Sequence, residues 1–460
     1  MPDTMPPLGR VPLPAADSVH AAALARRIAD RTARVAIIGL GHVGLPLALA
    51  ICGAGFRTLG CDTDGEKLAR LAAGESPLRH IPSEALWPHL RSGRFALAGQ
   101  RSSLNEADAI LICVPTPLGR HREPDLSHVE DAARRIAGQL RPGQLIVLES
   151  TTYPGTTREV LLPILESTGL RCGREFFLAY SPEREDPGNA EFHTAGIPKV
   201  VGGADAASLR LALALYGAVV RRTVPVGSLE TAEAVKLTEN VFRAVNIGLV
   251  NELKLVFGAM GIDIWEVIEA ARTKPFGYMP FWPGPGLGGH CIPVDPFYLT
   301  WKARAHGVST RFVELAGEIN TAMPHHVLDR LAQALDRMQQ RGLSGSRILV
   351  LGLGYKRNLD DLRESPALRL MELLEERGAE ADYFDPLVPR IPRLAEHPGL
   401  GGRRSLAWSA EALHEYHAAL IVTDHDAVDY AMLARESRLV VDTRNICGRL
   451  GLTGPHIIKA

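Results

Sequence analysis

Cys291 stands in GLGGHCIPVD, behind three glycines (Gly286, Gly288 and Gly289) that strip side chains from the approach to it. A thiol in that setting suits a covalent nucleophile, because a ligand can reach the sulfur along bare backbone. The same text also fits a buried cysteine in a compact loop. His290 is adjacent, but neighbouring side chains point apart, so it is a poor base for the thiol. Asp295, four residues on, is close enough to join the same pocket. A second pair, Lys236 and Asn240 in KLTEN, is spaced by four and falls on one face of a helix. Lys236 lies among apolar residues, and a partly desolvated ammonium would stabilise a thiolate or a developing oxyanion. A solvated lysine on an ordinary helix is the alternative.

The second chemistry is dinucleotide binding. Gly39-Leu40-Gly41-His42-Val43-Gly44 follows an apolar strand and opens a helix. Gly41 lets a pyrophosphate approach the backbone, and the helix N-terminus offers N–H donors and a positive dipole. A further strand, FRTLGCD, ends at Asp62, about 20 residues downstream, where an acid would hold the ribose hydroxyls and repel the 2′-phosphate of NADP. NAD is therefore the expected cofactor; Cys61 beside the acid reads as core. Thr116 of CVPTP and Ser150 and Thr151 of ESTTYPGT fall at two more strand ends, where open parallel sheets bind ligands. Ordinary turn hydroxyls are the plainer reading of each alone.

These residues need elements to hold them. From Arg34 to about Val226, short aliphatic runs (Val35–Gly39, Ala109–Val114, Leu145–Leu148, Lys199–Val201) alternate with helical text, which predicts buried parallel strands in a doubly wound sheet. From Leu229 to Met260 a proline-free stretch predicts one helix about 48 Å long. A Pro/Gly-rich loop spans Lys274 to Pro296, and helical text resumes from about Phe297 to Gln340. Strand–helix alternation then returns from SRILVLGLGYK. There Gly352-Leu353-Gly354-Tyr355-Lys356-Arg357 has Arg where a dinucleotide turn requires Gly, so a second dinucleotide is not expected, and the two cations Lys356 and Arg357 suit the grip of a nucleoside diphosphate instead. His325-His326 reads as surface. The expected fold is α/β, two Rossmann-like doubly wound domains joined by a long central helix and a helical dimerisation region. Its parts are an N-terminal extension (1–30), an NAD-binding domain (31–226), a central helical domain carrying the cysteine loop (227–340) and a C-terminal domain (341–460).

Composition narrows the partners. Lys+Arg (51) nearly cancels Asp+Glu (52), so there is no bulk attraction to nucleic acid or to an anionic membrane. The six cysteines are scattered without a CxxC pair, as expected for a reducing cytoplasm. Neither a membrane span, a hydrophobic signal core nor a metal-ligand cluster is expected.

Taken together, GLGHVGLPLA, CVPTP, ESTTYPGT, KLTEN, GLGGHCIPVD and YKRNLDDLRESP appear in an order that resembles the UDP-glucose/GDP-mannose dehydrogenase family from about Arg34 to Arg444. The resemblance implies an N-terminal NAD domain, a central dimerisation region and a C-terminal UDP-binding domain. It also implies four-electron oxidation of a sugar C6 hydroxymethyl with two NAD in succession. By position, Cys291 would trap the aldehyde as a thiohemiacetal, and Lys236 and Asn240 would hold charge on the reacting oxygen. Asp295 would manage a proton or water, Thr151 would orient water, and Glu183 of SPEREDPG would serve the hydrolytic step. NAD would be held by Gly39, Gly41, His42, Val43, Gly44, Asp62, Thr116, Ser150 and Arg363. The UDP-sugar would meet Lys236, Asn240, Gly288, Gly289, Lys356 and Arg444. Pro187 and Val294 stand where glucose-specific members carry an acid and a lysine, which resembles the branch acting on UDP-N-acetylhexosamines. Arg184 is a candidate contact for the altered sugar substituent. UDP-N-acetylglucosamine leads, with UDP-N-acetylmannosamine or UDP-glucose as alternatives, feeding surface polysaccharide synthesis by a homodimer or higher homo-oligomer. Two other classes are a non-catalytic nucleotide-sugar sensor, against which the full residue set argues, and a papain-like cysteine hydrolase, which has no use for the Gly39 turn.

Overall fold

The computed structural model describes residues 18–99, 104–119, 123–184, 195–289 and 291–460, with Cys291 described by its backbone alone. Residues 1–17 of the N-terminal extension, Pro187 and His290 lie outside the described residues. The chain divides into two compact units, the first ending at Glu239 and the second beginning at Asn240.

The first unit is built on eight strands: β1 Arg34–Ile38, β2 Arg57–Cys61, β3 Phe95–Ala98, β4 Ala109–Ile112, β5 Leu145–Leu148, β6 Phe177–Tyr180, β7 Lys199–Gly203 and β8 Thr223–Pro225. Their order in the sheet is β3-β2-β1-β4-β5-β6-β7-β8, a doubly wound arrangement in which the chain reverses direction across the sheet at β1. Strands β4, β5 and β6 are buried along their whole length. That is why they read as unbroken apolar runs: helices cover both faces, and each aliphatic side chain withdrawn from water contributes roughly 1.5–3 kcal/mol. One expectation is corrected. The run at Lys199–Val201 is parallel to β8 but antiparallel to β6; its centre is continuously buried, so its sequence reads like that of a buried parallel strand and does not reveal the direction. Before β1, Ser18 caps the helix Val19–Ala29 by accepting from the Ala21 N–H at 3.2 Å.

The second unit carries five parallel strands, β9 Arg347–Leu351, β10 Glu380–Phe384, β11 Ala418–Ile421, β12 Val440–Asp442 and β13 Ile457–Lys459, in the order β10-β9-β11-β12-β13. The switch point lies between β9 and β11. The glycine turn after β9 is not followed directly by a helix; the next begins at Pro366, capped by Ser365. The turn therefore lacks the helix N-terminus that a pyrophosphate would use.

The helix Leu229–Ala259 runs unbroken for 31 residues. Polar residues recur on its buried side: Glu233, Lys236, Asn240 and Asn251 are each at most 3% exposed. A buried polar stripe is costly unless each member is engaged. Asn251 donates to Asn320 Oδ1 at 2.8 Å and accepts from the Gly284 N–H at 3.0 Å. After the Pro/Gly-rich stretch, helices span Cys291–Ala305 and Arg311–Gln339. This corrects the expected loop boundary: the helix begins at Cys291, six residues before Phe297. Pro293 is tolerated in the first turn, where its missing N–H has no intrahelical acceptor, whereas Pro296 lies inside the helix and costs it one backbone hydrogen bond. Among the described residues, no helix is long and apolar enough to cross a membrane.

Candidate active site

Strand β1 delivers the chain to Gly39, whose φ of +94° is open to glycine but strained for other residues. A Cβ on Gly44 would lie 1.8 Å from the Gly39 carbonyl oxygen, so the turn closes on itself only with glycine there. A Cβ on Gly41 would meet nothing within 4 Å: the protein leaves that face bare. Asp62, at the end of β2, ties the turn to the neighbouring strand. One carboxylate oxygen accepts from the Leu40 N–H and from Lys67 Nζ, each at 2.8 Å, and the other accepts from the Asp64 N–H at 3.0 Å. Burial opposes the charge on Asp62, but Lys67 and the two N–H groups outweigh it and hold the carboxyl below its usual range. His42 stacks on His80 with ring centroids 5.4 Å apart. A glycine turn with a bare outer face, a helix beginning at Gly44 and an ionised acid beside it fit the pyrophosphate and ribose of a dinucleotide.

The loops after β4 and β5 meet at the same edge. Thr116 donates to the Thr151 carbonyl at 2.8 Å, and Ser150 donates to the Val114 carbonyl at 2.7 Å. Val43 of the glycine turn shares a small crevice with Glu183, Arg184 and Lys199. Glu183 pairs with the ammonium of Lys236 at 3.2 Å, and both side chains are largely withdrawn from water. Arg184, a candidate for the sugar substituent, is instead engaged by Glu239 at 2.6 Å and by the Pro198 carbonyl at 2.7 Å.

Sequence reasoning passed over two supports of this edge. Glu149, immediately before Ser150, is fully buried and bonded to Lys199 and to the Tyr216 hydroxyl. Burial pushes its carboxyl up against the pull of Lys199. Removing one partner of such a pair typically costs about 3–5 kcal/mol, because the other charge is stranded. The signal was a lone acid inside an aliphatic strand end. Glu233, on the long helix, accepts from the Thr157 N–H at 2.8 Å and the Gly155 N–H at 2.5 Å, pinning the chain just after TTYPG. Burial raises its carboxyl to about 7.

In the second unit Asn240 and Asp295 are each 0% exposed and share a short hydrogen bond from the Asn240 amide to the Asp295 carboxylate. Arg243 donates to the Asn240 carbonyl oxygen, which fixes the orientation of that amide. Asp295 lies four residues into the helix whose first residue is Cys291; the thiol itself lies outside the described atoms. Two of the glycines before it pack against the protein itself. A Cβ on Gly288 would come within 2.5 Å of Tyr355 Cβ, and one on Gly289 within 2.8 Å of the Tyr355 ring. The bare backbone there admits the protein's own Tyr355 from the turn after β9. A Cβ on Gly284 would meet the Arg444 guanidinium at 2.7 Å, so Arg444 stands against the same Pro/Gly-rich stretch. Lys356 follows Tyr355 and is half-buried. Arg357, expected with Lys356 to grip a diphosphate at that turn, is instead taken up by Asp426 and Asp424. Arg363 pairs with Asp361 at 2.6 Å.

A Rossmann-type unit with a glycine turn and an acid at the end of the second strand defines a dinucleotide-binding protein. Three family models match in chain order: the UDP-glucose/GDP-mannose dehydrogenase NAD binding domain over residues 33–220, the central domain over 230–322 and the UDP binding domain over 349–449. The chain belongs to the UDP-glucose/GDP-mannose dehydrogenase family and is an NAD-dependent nucleotide-sugar dehydrogenase. It is 34% identical to the UDP-N-acetyl-D-glucosamine 6-dehydrogenase of Pseudomonas aeruginosa, covering 87% of this chain and 90% of that one. It is 33% identical to the UDP-N-acetyl-D-mannosamine dehydrogenase of Pyrococcus horikoshii, covering 90% and 96%. The solved structure of the UDP-D-ManNAc dehydrogenase from Pyrococcus horikoshii superposes with a TM-score of 0.82 at 32% identity, covering 93% of this chain and 98% of that one.

Proposed function

We propose that the enzyme oxidises the C6 hydroxymethyl of a UDP-N-acetylhexosamine, UDP-N-acetylglucosamine first among them, to the uronate in two two-electron steps. The observation that carries this reading is the buried Asn240–Asp295 bond on the helix that starts at Cys291. A helix N-terminus favours a thiolate at its first residue, and the Asp295 carboxylate, bonded to the Asn240 amide and four residues further on, supplies a proton acceptor. NAD, when bound at the Gly39–Gly44 turn, supplies the electron acceptor for both oxidations. Lys236 and Asn240 hold negative charge on the C6 oxygen while its proton leaves. The Cys291 thiolate adds to the aldehyde carbon, and the resulting thiohemiacetal is oxidised to a thioester. Water, oriented by Thr151 and activated by Glu183, then cleaves the C–S bond, releasing the carboxylate and returning the thiol. Asp295 takes and returns protons at the thiol side of the reaction. Lys356 and Arg444 bind the diphosphate as cations.

The sugar is assigned from the SPER segment and the GLGGHCIPVDPFYL stretch, and the names of the relatives include both the gluco and manno epimers. UDP-N-acetylglucosamine should give a kcat/KM at least about tenfold above UDP-N-acetylmannosamine and UDP-glucose, a difference of about 1.4 kcal/mol in transition-state binding. Initial rates of NADH formation with each sugar measure it, and a preference for either competitor would reverse the assignment. Phe242, Leu249 and Val256 recur every seven residues on the long helix and are exposed. Such an apolar stripe supports a homodimer formed through that helix. The functional divisions proposed are an N-terminal extension (1–30), an NAD-binding domain (31–226), a central helical domain (227–340) and a C-terminal UDP-binding domain (341–460).

A further inference from the structure

The second half of the long helix carries a lysine that the reaction does not use. Lys254 is 8% exposed, and its Nζ has no hydrogen-bond partner among the described residues. It lines a cavity of about 650 Å³, together with Trp265, His326, Arg330, Gln333 and Lys459. His326, expected at the surface, instead turns to this cavity. That volume is within the range that holds metabolite-sized ligands.

The charges around Lys254 do not balance. Arg444 and Arg330 face it with like charge, and Asp442 is the acid among its main electrostatic neighbours. The Asp442 carboxylate is already committed to the Arg444 and Cys447 N–H groups at 2.9 and 2.8 Å. Asp263, the other acid at the cavity, is paired with Lys459 at 2.5 Å. Burial, with Arg444 and Arg330, pushes the Lys254 ammonium down to about 7. Burial together with Lys254 and Arg330 likewise pushes the His326 imidazole down to about 4, against Asp329. A desolvated ammonium without a partner is costly wherever it occurs. Leu255, Ile262 and Trp265 add apolar lining, with only Trp265 deeply buried.

We propose that this cavity is a second ligand site, separate from the glycine turn and from the cysteine helix. It takes a small molecule with an apolar body and an oxyanion, phosphate or carboxylate, that pairs with Lys254 and Arg330. Arginine supplies the planar fork and lysine the point charge that such groups recognise. Through Arg444, which faces both Lys254 and the Pro/Gly-rich stretch, the occupant adjoins a residue of the nucleotide-sugar machinery.

The test uses the full-length protein with phenyl phosphate and benzoate, which separate a phosphate from a carboxylate requirement. Calorimetry should show binding of at least one probe, weakened at least tenfold by both Lys254→Met and Arg330→Gln and unchanged in Lys356→Met. Thermal unfolding adds a readout of opposite sign. Without ligand, Lys254→Met should unfold at a higher temperature than wild type, and the probe should stabilise wild type but not the variant. The free-lysine value of 10.5 lies above the folded one, so the unfolded chain binds more protons between about pH 7 and 10.5. Wild-type stability should therefore rise with pH across that window, and the rise should shrink in Lys254→Met. Failure of both probes to bind, or binding lost only in Lys356→Met, would overturn the proposal. Should Lys254→Met fail to fold, Arg330→Gln decides by the same tenfold criterion.

Discussion

Cys291→Ala should abolish uronate formation, by at least about 10³-fold in kcat, while leaving the affinity for UDP-sugar and NAD within about threefold. The split follows from the role proposed for the thiol. A group that only forms and breaks a covalent bond to the reacting carbon contributes to the transition states of trapping and thioester formation, not to ground-state binding. In the proposed assignment NAD is held by the glycine turn, Asp62 and the loops after β4 and β5, and the diphosphate by Lys356 and Arg444; residue 291 belongs to neither set. Calorimetry for the two ligands and product mass after overnight turnover check this together. Loss of binding in parallel with loss of rate would make Cys291 a packing residue, the plainer reading its local sequence also allowed. Undiminished uronate formation would remove the covalent step altogether.

The second large effect is expected at the glycine turn, where two substitutions should part company. Gly44→Ala places a methyl carbon 1.8 Å from the Gly39 carbonyl, a backbone atom that no rotamer change can move. Relief requires the turn to open, and overpacking of this kind costs about 1–3 kcal/mol or more. The variant should lose NAD affinity by at least about 100-fold and melt several degrees lower. Gly41→Ala introduces a methyl that meets no protein atom within 4 Å. Its melting temperature should stay within about 2 °C of wild type, while NAD binding weakens at least about tenfold because the methyl occupies the approach of the pyrophosphate. Titration of NAD by calorimetry, beside thermal unfolding of both variants, reads the two effects separately. Unchanged NAD affinity in Gly41→Ala would mean that the bare face of the turn is not where the dinucleotide lies.

Much of this was legible because its physics is local. A glycine turn between strand and helix, with an acid at the next strand end, requires few residues in register, and Asp62 was found with its oxygens on Leu40 and Asp64 as that register demands. The Lys236 and Asn240 pair was visible from helical spacing, but their partners Glu183 and Asp295 lie more than 50 residues away, and only a resemblance could nominate them. The direction of β7 was not legible, since its centre is continuously buried and reads like a parallel strand although it pairs antiparallel with β6. The neighbour of Gly288 and Gly289 was not legible either: missing side chains mark a close approach without naming what approaches, and within the protein it is Tyr355. Lys254 and Glu149 escaped because a single charged residue in helical or aliphatic text reads as exposed until the fold buries it.

The central claim is that one enzyme carries both oxidations without releasing the aldehyde. The most direct measurement is the ratio of NADH formed to UDP-sugar consumed at limiting sugar, with product identified by mass. The account predicts two NADH per sugar and a uronate as the sole product. One NADH per sugar, with free aldehyde in solution, would contradict it.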